Sequence, residues 1–250
     1  MNNMVLDLFS GCGGLSLGFE MANYEVALGI DNWADALKTF EANHKNAQIL
    51  LGDLQTLTAK YVAEKYNIKA VDVIVGGPPC QGFSIAGKRE INDDRNKLYK
   101  NFVTFVSYFK PKAFVMENVP NIMSMDNGEV KKQIMADFEQ LGYKISSKVM
   151  LSADYGVPQN RKRAVFVGLL NGKSFEFPPK TIENVITSFE AISDLPEMSV
   201  NDGEKYPIKA NSEYQKMMRE NSQKIHNHQI TIQKGKENLL LYKHFVHIAL

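Results

Sequence analysis

The sequence predicts a doubly wound α/β fold with a mostly parallel sheet, followed by the start of a smaller domain. Short apolar segments of strand length alternate with segments of helical periodicity over roughly the first 170 residues, a pattern typical of βαβ units. Polar or reactive residues follow several of the apolar segments, where ligands bind in such sheets. After the prolines at 178 and 179 the sequence becomes more polar, which predicts a boundary near 175–180.

The elements of the first part follow from apolar runs and their spacing. Each predicted strand is a short, mostly apolar run, and a tight turn, Ser10–Gly14, follows the first. The second helix has an apolar inner face that includes Ala36, Leu37 and Phe40. In chain order we predict a strand over 4–9, a helix over 15–22, a strand over 26–30, a helix over 35–44, a strand over 48–51, a helix over 59–66 and a strand over 71–75.

The later elements carry clearer end signals. One helix ends before Pro111, and another is closed by Gly142. Apolar runs on either side of these helices predict three more strands. In chain order we predict a helix over 98–109, a strand over 113–116, a helix over 129–141 and strands over 144–151 and 164–169.

The amino-acid composition limits the classes of protein to which the chain can belong. Two cysteines, Cys12 and Cys80, are too few for a disulfide framework or a zinc site and suit a reducing cytoplasm. No apolar run approaches the ~18 residues of a membrane span, and no room for a signal peptide precedes the first strand. We therefore predict a cytoplasmic protein without a membrane segment or a metal. Residues 81–175 carry fifteen Lys and Arg against nine Asp and Glu, which fits either a phosphate-facing surface or solvated helix faces.

The turn after the first strand suits a cofactor that contains a nucleoside. Gly11 and Gly13 allow close backbone approach and present amides at a helix N-terminus. A dinucleotide fingerprint would need glycine at position 16, which is Ser16. Asp31 suits a ribose diol and Asp53 an adenine amino group. S-adenosylmethionine fits this set, whereas a plain turn with two solvent-facing aspartates is the alternative.

Several blocks, in their order and spacing over roughly residues 4–170, carry a family resemblance. They are Asp7–Gly14 with Gly18-Phe19-Glu20, then Asp31, Gly52-Asp53-Leu54, Pro78–Ser84, Asp94-Arg95 with Leu98, Glu117-Asn118-Val119 and Tyr155–Arg163. With these blocks the sequence resembles the DNA (cytosine-5)-methyltransferase family of bacterial restriction-modification type. The resemblance implies a Rossmann-like, S-adenosylmethionine-dependent catalytic domain over 1–176, with 177–250 as the incomplete leading part of a target-recognition region.

The resemblance also implies which residues hold the cofactor. Phe9 would lie against the adenine ring, and the glycines of the turn would approach the methionine end. Family members often carry a tryptophan directly after the acidic residue that holds the ribose; here Asn32 takes that position and Trp33 follows. The cofactor-binding residues that we predict are Phe9, Gly11, Gly13, Gly14, Asp31, Asn32, Asp53, Leu54 and Pro79.

Cys80 is the predicted nucleophile. It follows a buried strand and two prolines, a position better suited to chemistry than to packing. Carbon 5 of cytosine becomes nucleophilic only after a thiolate adds to carbon 6 and makes an enamine. Glu117 would supply an acid at ring nitrogen 3, Arg163 would donate to the base carbonyl, and Arg161 would position the site or a phosphate.

A base inside duplex DNA is unreachable, so the target nucleotide must be flipped out of the helix. The polar segment 82–96 suits a mobile lid over such a base. Gln81, Ser84 or Ile85 would fill the emptied stack, and the sequence does not choose among them. The DNA-binding residues that we predict are Ser84, Lys88, Arg89 and Arg95.

The resemblance stops beyond His228, without the family's later blocks. We therefore expect the larger subunit of a split methyltransferase or a truncated product, inactive or weakly active alone, whose missing blocks a second subunit would supply. The alternatives are a remnant that binds cofactor or DNA without catalysis, an RNA cytosine-5 methyltransferase and a nicotinamide enzyme. Gln-Gly-Phe-Ser after the cysteine favours double-stranded DNA as substrate. His226 and His228 would suit a metal or nuclease site, but no partner ligands cluster near them in the sequence, which favours an ordinary polar loop.

Overall fold

A computed structural model describes residues 3–79, 97–196, 199–220, 222–226, 228–232 and 240–243. The chain divides into two compact units. The larger contains described residues within Met1–Met150 and Lys162–Pro178, and the smaller contains those within Leu151–Arg161 and Pro179–Ile248. The assignment of 177–250 to target recognition remains a prediction.

The larger unit is built on a seven-stranded sheet with the order β3-β2-β1-β4-β5-β7-β6. Neighbouring strands from β3 to β5 pair in parallel, whereas β7 pairs antiparallel with β5. The prediction of a mostly parallel, doubly wound α/β sheet is confirmed. The strands are β1 (Met4–Leu8), β2 (Glu25–Asp31), β3 (Gln48–Leu51), β4 (Val73–Gly76), β5 (Ala113–Asn118), β6 (Lys144–Leu151) and β7 (Lys162–Leu169).

Helices cover both faces of this sheet. Alternate residues of a strand point to opposite faces, so Leu6 and Leu8 of β1 join one apolar cluster while Val5 joins the other. Helices α1 and α2 pack on the cluster that contains Val5, and α3, α4 and α5 pack on the opposite one. Their bounds are α1 (Gly14–Met21), α2 (Ala34–Asn43), α3 (Ala59–Lys65), α4 (Lys97–Phe109) and α5 (Glu129–Glu139).

Gly76, the last residue of β4, is expected to be intolerant of any side chain. A Cβ there would lie 2.0 Å from the backbone oxygen of Leu8 on the neighbouring strand. Because backbone of a central strand cannot move aside cheaply, Gly76→Ala should lower the free energy of unfolding by about 3 kcal/mol. Urea unfolding measures this loss.

Gly18→Ala is the matched control for that substitution. Gly18 lies in α1, and a Cβ there would meet nothing within 4 Å. Alanine stabilises a helix interior by about 0.5–1 kcal/mol relative to glycine. Equal effects of the two substitutions would contradict the packing described for Gly76.

The described residues of the smaller unit form two short α-helices, a 3-10 helix at Ser152–Tyr155 and two small antiparallel sheets. A mostly buried ion pair joins Arg219 to Asp194 in this unit, and the guanidinium stacks 3.6 Å from the centre of the Tyr206 ring. His226 Nδ1 contacts Asp202 at 3.1 Å, and His228 Nε2 contacts the Pro196 carbonyl at 2.9 Å. The elements are α6 (Ser188–Ile192), β8 (Glu204–Lys205), α7 (Glu213–Arg219), β9 (Lys224–Ile225), β10 (Gln229–Ile232) and β11 (Leu240–Lys243).

Two negative findings, on metal-binding groups and on membrane-spanning helices, concern the described residues only. No group of three or more His, Cys, Asp or Glu side chains within them could hold a metal ion. No helix in the same ranges is long and apolar enough to cross a membrane.

Candidate active site

The carboxyl ends of the five parallel strands meet along one edge of the sheet in the larger unit, here called the carboxyl edge. Ligands of doubly wound sheets bind at such an edge. The structure brings predicted cofactor-binding and catalytic residues to it together. Those positioned there are Phe9 after β1, Asp31 at the end of β2, Asp53 after β3, Pro79 after β4 and Glu117 near the end of β5.

The turn from Phe9 to Gly13, here called the glycine turn, has an unusual backbone conformation. Phe9 has a φ of 63°, while Gly11 and Gly13 have φ values of 53° and 91°. A positive φ is costly for a bulky residue, and such residues cluster at functional sites. The Ser10 amide donates to a carbonyl of β2 at 3.0 Å, which ties the turn to the sheet. Gly14 follows as the first residue of α1.

Asp31 is bonded to the glycine turn. One carboxylate oxygen accepts from the Gly11 amide at 2.8 Å, and the other accepts from the Trp33 amide at 2.9 Å. A carboxylate has about four acceptor positions, so each oxygen retains capacity for a further hydroxyl donor. Asn32 is exposed, and Trp33 is 65% exposed, so both are accessible from solvent.

Asp53 and Leu54 differ in their surroundings. Asp53 Oδ1 accepts from the Gln55 amide at 2.8 Å in a tight turn. The Leu54 side chain is 3% exposed and packs in the core, and its carbonyl accepts from Asn101 of α4 at 2.7 Å. The predicted cofactor contact of Leu54 stays a prediction, and burial of the side chain leaves its backbone as the group to make it.

Asp7 and Ser10 contribute buried polar atoms that have no hydrogen-bond partner among the described residues, namely Asp7 Oδ1 and Ser10 Oγ. The other oxygen of Asp7 accepts from Ser16 Oγ at 2.6 Å. Burial raises the pKa of Asp7 to about 7, against the opposing effect of the Ser16 hydrogen bond. Unsatisfied buried polar atoms beside a strained turn fit a ligand that brings hydrogen-bonding groups.

The raised pKa of Asp7 predicts a pH-dependent stability. Because the folded pKa of about 7 exceeds the ordinary value of 3.8, this residue's contribution is fully present below pH ~4 and lost as the pH rises through 7. Asp7→Asn should remove this pH dependence. The difference in the free energy of unfolding between the variant and the natural chain should therefore change by up to about 4 kcal/mol between pH 4 and 8. Urea unfolding across this range measures the difference.

The exposed Asp35 of α2 provides the control. Asp35→Asn should leave the pH dependence between pH 5 and 8 unchanged, because Lys38 lowers the pKa of Asp35 and so keeps its titration below this range. A pH profile of Asp7→Asn parallel to that of the natural chain would show that the Asp7 carboxyl does not titrate as described.

Glu117 and Arg163 form an ion pair at the carboxyl edge. Arg163 Nε lies 2.7 Å from Glu117 Oε1, and the two side chains are 26% and 27% exposed. The antiparallel pairing of β5 with β7 sets Glu117 opposite Val165, which brings Arg163 within reach. Arg163 Nη1 also donates to the Lys162 carbonyl at 2.8 Å, which orients the guanidinium. The pair offers a carboxyl group and an oriented cation, suited to proton transfer and to stabilising developing charge.

The segment that leads to Cys80 is held against the same strand. Asn118 Nδ2 donates to the Pro78 carbonyl at 2.9 Å. A Cβ at Gly77 would lie 3.4 Å from Glu117 Oε2, so the absence of a side chain there leaves the carboxyl room. The chain two residues before Cys80 is therefore fixed beside Glu117.

Five predicted site residues lie outside the described ranges, so their roles stay predictions: Cys80, Ser84, Lys88, Arg89 and Arg95. Arg161 belongs to the smaller unit, where its carbonyl accepts from the amide and hydroxyl of Ser152 at 2.9 and 3.1 Å. Its predicted role likewise stays a prediction.

Sequence reasoning gave no individual role to two residues beside the glycine turn, Asp7 and His44. A charged residue within an otherwise apolar strand was the available signal for Asp7, because a buried carboxyl needs a reason. His44 carries no local signal. Its partner Glu20 and its contact Gly13 are both distant in sequence.

The family model for C-5 cytosine-specific DNA methylase matches residues 3–247. The chain is 42% identical over 236 residues to the Type II methyltransferase M.DdeI of Desulfomicrobium norvegicum, covering 90% of this chain and 56% of that protein. It is 42% identical over 205 residues to M1.HphI of Haemophilus parahaemolyticus, covering 81% and 55%. It is 35% identical over 192 residues to M.AquIA of a Picosynechococcus species, covering 72% and 77%.

Solved structures show the same fold. A DNA modification methyltransferase encoded within an Escherichia coli prophage aligns with a TM-score of 0.71 at 30% identity, covering 86% of this chain and 64% of that one. A DNMT2 structure from Spodoptera frugiperda aligns with a TM-score of 0.60 at 22% identity, covering 80% and 61%, which shows the fold alone. The chain spans little more than half the length of M.DdeI and M1.HphI.

Proposed function

We propose that this chain, which belongs to the C-5 cytosine-specific DNA methylase family, transfers a methyl group to carbon 5 of cytosine in DNA. The observation that carries the proposal is the Glu117–Arg163 pair beside the segment leading to Cys80. A carboxyl group and a cation at one site match the needs of a ring that gains negative charge. Relatives named Type II methyltransferases support a role in restriction and modification.

The proposed methyl donor is S-adenosylmethionine, whose sulfonium supplies an electrophilic methyl group. Asp31 would accept from the ribose hydroxyls and Asp53 from the adenine amino group. Phe9 would lie against the adenine ring. The amides of the glycine turn, with the open acceptor on Asp7, would bind the amino-acid end.

The proposed reaction uses Cys80 as nucleophile on a flipped-out cytosine. The Cys80 thiolate forms a bond to carbon 6. Glu117, which takes up a proton from solvent when the base binds, passes that proton to ring nitrogen 3, so the ring becomes an enamine. Arg163 holds the Glu117 carboxyl and donates to the base carbonyl. Carbon 5 would then take the methyl group as its bond to the donor's sulfur breaks, with the neutral thioether as leaving group. A base removes the carbon 5 proton, the Cys80 thiolate leaves, and ring nitrogen 3 returns its proton to Glu117.

The same proposal assigns Arg161 to the site or a nearby phosphate, and Ser84, Lys88, Arg89 and Arg95 to the DNA backbone. M.DdeI and M1.HphI contain further residues that this chain does not match. We propose that full, sequence-specific activity needs such residues, from a second subunit or from elsewhere in the protein. M.AquIA, matched over 77% of its length, shows that a relative can be comparably short.

Covalent trapping on fluorinated DNA tests the proposal. Fluorine at carbon 5 of cytosine blocks the final proton removal, so a working enzyme stays attached to its substrate. We expect a denaturation-resistant complex with duplex DNA that forms only when S-adenosylmethionine is present. Trapping on fluorinated RNA instead would indicate an RNA methyltransferase. Absence of both adducts, with and without neighbouring gene products, would contradict an enzymatic role.

A further inference from the structure

The imidazole of His44 lies directly against the glycine turn. His44 follows α2, is 2% exposed and packs 4.3 Å from the centre of the Phe40 ring. A Cβ at Gly13 would lie 2.1 Å from His44 Nε2 and 2.8 Å from a carbon of Phe40. The ring edge therefore occupies the space beside Gly13 and bounds one side of the turn.

Glu20 fixes the orientation of this imidazole. His44 Nδ1 and Glu20 Oε2 are 2.8 Å apart. A carboxylate only accepts hydrogen bonds, so Nδ1 carries the hydrogen in this contact. Glu20 lies in the last turn of α1, and helical side chains tilt toward the helix N-terminus. One imidazole thus contacts the residue that precedes α1 and is bonded to the far end of the same helix.

We infer that His44, oriented by Glu20, is a positioning residue that holds the glycine turn in the conformation that binds the cofactor. The inference rests on the proposed function, because that proposal assigns the turn to S-adenosylmethionine. Gly11 and Gly13 both have positive φ, a conformation that an unsupported turn leaves easily. A turn held in place before the ligand arrives loses less conformational freedom on binding, which raises affinity.

His44 acts through Gly13 and α1, so the inference separates affinity from chemistry. Loss of the His44 side chain, or of the Glu20 carboxylate that orients it, should raise the dissociation constant and KM for S-adenosylmethionine. It should leave kcat at saturating cofactor almost unchanged. A residue that merely fills the core would lower stability without a selective effect on cofactor affinity.

The fluorescence of Trp33 can be used to measure cofactor binding. Trp33 is the single tryptophan, and its amide is bonded to Asp31, so its fluorescence should report cofactor binding. Titration with S-adenosylmethionine, checked by equilibrium dialysis with labelled cofactor, gives the dissociation constant. We expect His44→Ala and Glu20→Ala each to raise it about tenfold, the effect of losing one hydrogen bond.

Two further variants act as controls. Glu20→Gln keeps an acceptor for Nδ1 and should stay within threefold of the natural chain. His226→Ala removes a comparable but exposed histidine–carboxylate contact in the smaller unit and should change nothing. Circular dichroism confirms folding, and Glu20→Ala tests the inference even where His44→Ala is unstable, because Glu20 is partly exposed.

The possible results distinguish failure of the positioning role from failure of the proposed methyltransferase function. Unchanged affinity in Glu20→Ala, or a loss of kcat equal to the loss of affinity, overturns the positioning role alone. A natural chain that binds no S-adenosylmethionine by either method overturns the proposed function together with this inference. Weakened affinity in both alanine variants, restored in Glu20→Gln, supports it.

Discussion

Replacing Cys80 with serine is expected to abolish covalent capture on fluorinated DNA and to lower the methylation rate by at least about 10⁴-fold. A serine hydroxyl is far less ionised and less nucleophilic than a thiol, so addition to carbon 6 stops. Cofactor affinity should stay within about twofold, because the methyl donor is held by other residues. A gel-shift assay under denaturing conditions measures the adduct.

Cys12 provides the matched control, since it is the other cysteine of the chain and is exposed. Because Cys12 lies in the glycine turn, the variants are compared at saturating S-adenosylmethionine, where Cys12→Ser should still form the adduct. An adduct of undiminished yield from Cys80→Ser, or its loss from Cys12→Ser alone, would show that another group attacks the base.

Glu117→Gln is expected to lower kcat by about 10²–10⁴-fold. The amide keeps the shape of the carboxyl group and can still accept from Arg163, but it cannot supply a proton to ring nitrogen 3. Covalent trapping should slow in parallel with methylation, because the proton is needed when the thiolate adds. Single-turnover kinetics with labelled cofactor measure both steps.

Glu129 offers a carboxylate of similar kind away from the site. It lies in α5 and pairs with Lys132 at 2.8 Å on an exposed face. Glu129→Gln should keep kcat within about twofold. Should Glu117→Gln weaken cofactor binding as much as it slows the reaction, Glu117 would be a structural support for the site rather than its acid.

Local signals were enough to predict the main architecture. The apolar runs and helical spacing that predict the sheet lie within single elements, and the residues that end them lie close by in sequence. Small differences between the predicted and observed strand ends occur where long-range pairing or backbone strain determines where a strand stops. The strand predicted over 4–9 ends at Leu8 because Phe9 adopts a positive φ. The strand predicted over 113–116 extends to Asn118 because β7 pairs with it.

The glycine turn shows what local signals could not predict. Asp31 was predicted as a ribose acceptor, but the sequence does not indicate that its oxygens also accept from the Gly11 and Trp33 amides. The sequence does not indicate the contact of His44 with Gly13 either. The contacts of Asp31 with Gly11 and of His44 with Gly13 join residues far apart in the chain, so no local pattern encodes them.

The sequence by itself determined the fold class, the family and the residue types available at the carboxyl edge, because each follows from periodicity or from blocks of adjacent residues. Only the tertiary structure decided which partner each charged group takes. Arg163 reaches Glu117 through the register of β5 with β7, and the packing around β1 leaves Asp7 Oδ1 buried without a hydrogen-bond partner among the described residues. The physical reason is that pairing, burial and pKa depend on distances between residues far apart in the chain.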